Sequence, residues 1–245
     1  MSDDYFIPFL DWEKRADFKS GFPLIWKRNL RALNQKDQEK LFKSKVLVLG
    51  CGGLGCVVVE MLARIGVGKL VIIDGDVFEE SNLNRQLFCT LDNLGQKKAV
   101  VAQNRVKEIA PFCQVEAVVE FVSPEDIAKY LTGVDVVIDC LGGVQAKASM
   151  LVAVQKFNYP LIVGAMAGWE GLVCSVWEQS RLPLEFFQGN QGAEETLGSP
   201  VTTVCLIASL QVQEAICFLT KGKFSLLNKV LYVSLLNLSF DRFDL

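Results

Sequence analysis

A chain of 245 residues can bury roughly 70 to 75% of its unfolded surface, so a stable core needs no disulfide or metal staple. The 51% hydrophobic and 22% charged content excludes a disordered or low-complexity chain, and a net charge of -3 offers no broad basic field to collect a nucleic acid. Histidine is absent, which removes every histidine triad, general base and metal ligand, and the 8 cysteines contain no C-x-x-C pair, so no zinc is expected.

Met1 to Lys19 is charged and aromatic and has no basic-then-apolar signal pattern. No uninterrupted apolar run reaches the length of a bilayer span, so a cytoplasmic protein without membrane contact is expected. A helical pattern runs from about Leu24 to Lys43. From Lys45 short apolar runs alternate with amphipathic stretches, as in parallel strands joined by crossover helices. The strands are expected at Lys45 to Leu49, Lys69 to Ile73, Gln114 to Val119, Asp135 to Ile138 and Pro160 to Val163. Helices are expected at Leu54 to Ile65, Gln96 to Ile109, Pro124 to Leu131 and Val144 to Phe157, with Ser123 as an N-cap before a first-turn proline.

After Gly164 the pattern changes. Leu172 to Trp177 reads as a strand, the polar stretch Arg181 to Pro200 as an exposed loop, Val201 to Leu219 as a long apolar helix, and Lys229 to Leu238 as one or two closing strands. The expected fold class is α/β: a Rossmann-like, mainly parallel sheet with helices on both faces and antiparallel C-terminal strands. Residues 1–44 are expected to form an N-terminal helical arm on a domain spanning 45–245.

Gly50-Cys51-Gly52-Gly53-Leu54-Gly55 lies between an expected strand and an expected helix, the context that gives G-x-G-x-x-G its meaning. Glycines there let backbone approach a phosphate at the helix N-terminus. Asp74 ends the next strand, where a carboxylate can accept hydrogen bonds from ribose hydroxyls. The plainer alternative is a turn kept glycine-rich for strand-to-helix packing, with Asp74 as a cap. A dinucleotide site gives no role to the residues beyond Asp74, namely Asp76, Asn82, Arg85 and Gln86 and then Lys97 and Lys98. A nucleoside triphosphate site does, because Arg and Lys neutralise the β and γ charges and steady a pyrophosphate leaving group.

As a set, the G-x-G-G-L-G turn, the run from Asp74 to Gln86 and the G-x-x-K at Gly95 to Lys98 resemble the ThiF/MoeB/HesA superfamily of ubiquitin-activating-enzyme-like adenylyltransferases, from about Trp26 onward. The resemblance implies ATP bound by Gly50, Gly52, Gly53, Gly55, Asp74 and Asp76, with Asn82, Arg85 and Lys98 on the phosphates and Gln86 supporting them. It implies adenylation of a carboxylate, either the C-terminal glycine of a small ubiquitin-like sulfur carrier or a small biosynthetic precursor acid. The products would be acyl-AMP and pyrophosphate, with Arg85 and Lys98 as the catalytic pair. Trp26 to Asn29 resembles an N-terminal segment through which Arg28 would reach the partner subunit's triphosphate in a homodimer, although Ile25 stands where the first arginine is usual; a solvated basic face explains Lys27, Arg28 and Arg31 equally well. Arg181 to Pro200 would be the crossover segment. It contains no cysteine, and Cys174 and Cys205 beside it read as structural thiols rather than nucleophiles.

The family pattern D-x-x-D-N supplies a magnesium ligand, but here the segment is Asp139-Cys140-Leu141-Gly142-Gly143. Three expectations compete: Asp139 or Asp76 holds Mg2+ through water and adenylation persists; the chain is a catalytically silent nucleotide- or partner-binding subunit; or the pocket is opened for another ligand. A nicotinamide or flavin oxidoreductase explains the glycine turn but gives Asn82, Arg85 and Lys98 no purpose.

Overall fold

The computed structural model describes residues 6–9, 11, 18–19, 21–189 and 192–245. Most of the stretch Met1 to Lys19 lies outside the described residues. Strands β1 (Phe6–Ile7) and β2 (Phe22–Pro23) pair in parallel as a small separate sheet. The single helical pattern expected from Leu24 to Lys43 divides into a 3-10 helix, Leu24–Asn29, and helix α1, Gln35–Lys43. Arg31 at φ 87 interrupts it. Asn34 then restarts the helix with a capping box, its side chain accepting the Asp37 N–H at 3.0 Å while Asp37 accepts the Asn34 N–H at 3.4 Å. Trp26, fully buried, stacks on Phe18 and meets Phe112 edge-on with centroids 4.9 Å apart.

The main sheet is built from β3 (Lys45–Leu49), β4 (Lys69–Ile73), β5 (Gln114–Val118), β6 (Val136–Asp139), β7 (Leu161–Ala167), β8 (Glu170–Val176), β9 (Lys229–Ser234) and β10 (Ser239–Asp244). Its strand order is β10-β9-β8-β7-β6-β3-β4-β5. The five strands β5, β4, β3, β6 and β7 are parallel, and β8 to β10 continue the sheet antiparallel. Crossovers are made by α2 (Gly53–Ile65), α3 (Lys98–Ile109), the short α4 (Ala128–Leu131) and α5 (Val144–Lys156).

Side chains alternate across the central strands. Val46, Val48 and Ile72 enter the core shared with α2 and α3, while Leu47, Leu49 and Ile73 enter the core shared with α5. Between α6 (Ala193–Leu197) and β9 runs α7 (Val201–Lys221), whose Val204, Ile207, Ala208, Val212 and Ala215 fill the first core. By length and composition alone α7, at 21 residues, could cross a bilayer, although Gln211, Gln213 and Glu214 interrupt its apolar run. Its apolar residues are those of a core helix packed on α2 and β7, and Lys221 at its end pairs with Asp37 at 2.8 Å.

Strand β3 is flanked on opposite sides by β4 and β6, so the chain reverses its direction of travel across the sheet there. The crevice beyond the carboxyl ends of strands at such a switch point is the natural ligand site of an open α/β sheet.

Candidate functional site

A cleft of about 700 Å³ opens at this switch point. Its floor is the turn after β3. Gly50 sits at φ +86, and a Cβ on it would lie 2.8 Å from the Cys140 carbonyl oxygen; one on Gly55 would lie 2.0 Å from the Gly50 oxygen. Packing therefore demands glycine at these positions. Gly52 differs, because a Cβ there would meet nothing closer than the Gln86 side chain at 3.7 Å, so the protein itself has room for a side chain in the cleft. The Asp74 carboxylate ties the neighbouring loops together, accepting the Cys51 N–H at 2.7 Å and the Asp76 N–H at 2.8 Å.

Two cations face the same space. Lys98, buried at the first turn of α3, donates to Asp76 Oδ2 at 2.6 Å. Burial alone would raise the Asp76 carboxyl, but hydrogen bonds from Lys98 and the Val77 N–H hold it below its ordinary value. Arg85 is braced by the Ser81 carbonyl at 3.0 Å and Asn84 Oδ1 at 2.9 Å. Gln86, 5% exposed, lines the cleft and leaves its Oε1 without a hydrogen-bond partner.

The opposite wall comprises Leu141, Gly142, Gly143 and the first turns of α5. Beneath it Lys147 and Asp139 form an ion pair at 2.5 Å with side chains 5% and 1% exposed, and Lys147 also donates to the Gly164 carbonyl at 2.9 Å. The other Asp139 oxygen accepts the Leu141 N–H at 3.0 Å. Burial pushes the Asp139 carboxyl above its ordinary range, against the opposing pull of Lys147. The crossover segment closes over this wall. Phe187 is buried at the cleft edge, Gly168 donates to the Gly198 carbonyl at 2.8 Å, and Glu194 Oε1 accepts the Gly143 N–H at 3.3 Å. Arg181 to Pro200, expected as a plain loop, thus contains a 3-10 turn at Leu184–Phe186 and the helix α6.

The structure brings Gly50, Gly52, Gly53, Asp74, Asp76, Arg85, Gln86 and Lys98 together around one cleft. Asn82 is buried behind this wall and shapes its loop, accepting the Glu79 N–H at 3.2 Å. Gly55 is a packing residue at the base of the turn. Arg28 is exposed on the 3-10 helix and does not line the cleft. Asp139, expected to hold a metal, lies under the wall with both oxygens engaged. Sequence reasoning missed Lys147, Glu194 and Phe121, whose exposed ring covers Gly75 at the cleft mouth. The sequence signal for Phe121 is its place just after the carboxyl end of β5, on the same side of the sheet as the cleft.

Among the described residues no group of three or more Asp, Glu or Cys side chains is arranged to hold a metal. The thiols are equally quiet: Cys51, Cys56, Cys89, Cys113, Cys140 and Cys174 are buried, and burial pushes Cys113 up to about 12. Iodoacetamide on the native protein is expected to label Cys205 and Cys217 first, which peptide mass spectrometry would read; rapid labelling of Cys174 or Cys140 would contradict the packing.

The model of the ThiF family matches residues 26–245. The chain is 34% identical over 139 residues to the tRNA threonylcarbamoyladenosine dehydratase of Escherichia coli (strain K12), covering 56% of this chain and 52% of that protein. It is 32% identical over 189 residues to the sulfur carrier protein ThiS adenylyltransferase of the same strain, covering 75% of each. The chain thus spans only about half of the first relative. In fold it matches E. coli MccB in complex with MccA-N7isoASN, with a TM-score of 0.75 at 19% identity over 85% of this chain and 66% of that one. A glycine turn, a strand-end Asp and an Arg–Lys pair at one switch point, on a chain matched by the family model from Trp26 to its last residue, identify this protein as a member of the ThiF family.

Proposed function

We propose that the cleft binds ATP and that the protein transfers AMP to a carboxylate, releasing pyrophosphate. The observation that carries this reading is the placement of Arg85 and Lys98 on the wall beside the Gly52–Gly53 backbone and Asp74. Asp74 accepts from the ribose hydroxyls, and the turn and the N-terminus of α2 receive phosphate. A carboxylate oxygen attacks the α-phosphorus, the bond to the bridging oxygen breaks, and the electron pair leaves on pyrophosphate. Lys98 and Arg85 stabilise that departing charge, and an ionised carboxylate needs no general base. This chemistry suits a chain without histidine.

The acid approaches along the α5 wall under the crossover segment, and the sulfur carrier adenylyltransferase relative supports a C-terminal glycine of a small carrier protein as one such acid, a small precursor acid being the other. Under the same reading residues 1–44 act as an arm on the 45–245 domain, and Arg28 serves the neighbouring site of a homodimer in the cytoplasm, without membrane or nucleic acid as partner. Magnesium would be held through water by Asp76, where it would screen the phosphate charge; Asp139 is already engaged by Lys147.

The test is exchange of labelled pyrophosphate into ATP in the presence of carrier-protein tails and small acids. Carboxylate-dependent exchange is expected, abolished by Arg85→Ala. ATP binding without exchange for any acid would favour the alternative, a silent nucleotide-binding subunit.

A further inference from the structure

The wall opposite the Arg–Lys pair has an opening in it. A Cβ built on Gly142 would meet nothing within 4 Å, and Gly142 is not in the left-handed region, so the backbone excludes no side chain there. Gly143 also faces open space but sits at φ +78, which a side chain would strain. Beside this opening one carboxylate arrives from a different element. Glu194, on α6 of the crossover segment, turns back to accept the Gly143 N–H at 3.3 Å and lines the same cleft. Its return is sterically prepared: a Cβ on Gly192 would lie 2.2 Å from Glu194 Oε2. Across the cleft the half-exposed Asp76 offers a further oxygen donor.

We propose that Glu194 supplies, from the crossover segment, the acidic ligand for a divalent cation that Gly142 does not. The proposal rests on the cleft being an ATP site. Mg2+ keeps several waters and is held by one or two carboxylates together with substrate phosphate oxygens, so a single well-placed Glu suffices where no all-protein cage exists. One hydrogen bond to Gly143 orients Glu194 Oε1 and leaves Oε2 for the ion. The cation site is therefore completed by the same segment that covers the acid, and the metal and the acyl substrate are coupled through α6.

The test uses calorimetric affinity of the full chain for a non-hydrolysable ATP analogue, with Mg2+ and then with a chelator, in the wild type, Glu194→Gln, and Glu194→Gln combined with Gly142→Asp. The wild type is expected to bind at least about tenfold more tightly with Mg2+. Glu194→Gln should bring that ratio close to one while leaving the chelator affinity unchanged, and Gly142→Asp should restore it, since open space awaits the new carboxylate. A Glu194→Gln protein that keeps the wild-type ratio, or a wild type indifferent to Mg2+, overturns the proposal while the ATP reading stands. No analogue binding by the wild type in either condition overturns both.

Discussion

Lys98→Ala is expected to weaken ATP binding by roughly 10- to 100-fold and AMP binding by less than about threefold, read by calorimetry. A charge-assisted hydrogen bond contributes about 1.5–3 kcal/mol, and each 1.4 kcal/mol is tenfold in affinity. Lys98 is buried and donates to Asp76 at 2.6 Å, so its removal also strips that carboxylate of its lysine partner where the proposed β and γ phosphates would lie. Arg85, held by Ser81 and Asn84 and partly exposed, should show the same preference with a smaller loss. Equal losses for ATP and AMP would remove Lys98 from the phosphate end of the site.

Lys147→Met is expected to cost about 3 to 5 kcal/mol of stability, because it strands Asp139 in a site that water does not reach. For a chain of this size that is a fall of roughly 6 to 20 °C in melting temperature. The pH dependence is set by the direction of the carboxyl shift. Burial already holds Asp139 above its ordinary value, and loss of Lys147 would raise it further. A group whose folded pKa exceeds its unfolded value, about 3.9, stabilises fully below that value and loses this contribution as pH rises through the folded pKa. The deficit of the variant should therefore grow as pH rises above about 3.9, the unfolded value. Adding Asp139→Asn should recover much of the loss, since a neutral amide carries no buried charge; a variant as stable as the wild type across that range would place the pair in water.

The central strands are the most legible part of the chain. Lys45–Leu49 and Lys69–Ile73 form strands with the expected bounds, because parallel strands covered on both faces read as unbroken apolar runs. Pro124 to Leu131 reads as one helix in sequence, yet only Ala128–Leu131 is helical. Ser123 Oγ accepts the Asp126 N–H at 3.3 Å and donates to the Asp126 carboxylate at 3.2 Å, so a local side-chain turn competes with the first helical turn. Strand β7 runs on to Ala167 past its expected end, since antiparallel pairing with β8 continues until the turn at Gly168, φ +57.

Within the site, the residues in the two contiguous motifs are legible as a group because each motif comes directly after the carboxyl end of a strand, β3 or β4, and these ends lie side by side. Asn82 illustrates the limit: its spacing from Arg85 is informative, but only the folded loop shows its side chain bound to Glu79. Nothing local in the sequence shows that α5 carries Lys147 under the strand end to Asp139. Glu194 lies in a polar stretch whose return over the Gly142 turn depends on long-range packing.

The central claim, that the switch-point cleft is a nucleoside triphosphate site, is tested most directly by calorimetric titration of the purified chain with ATP, AMP and NAD. ATP binding more tightly than AMP, with no heat from NAD, is the predicted result. NAD binding more tightly than ATP would contradict it and leave the Arg85–Lys98 wall without a ligand.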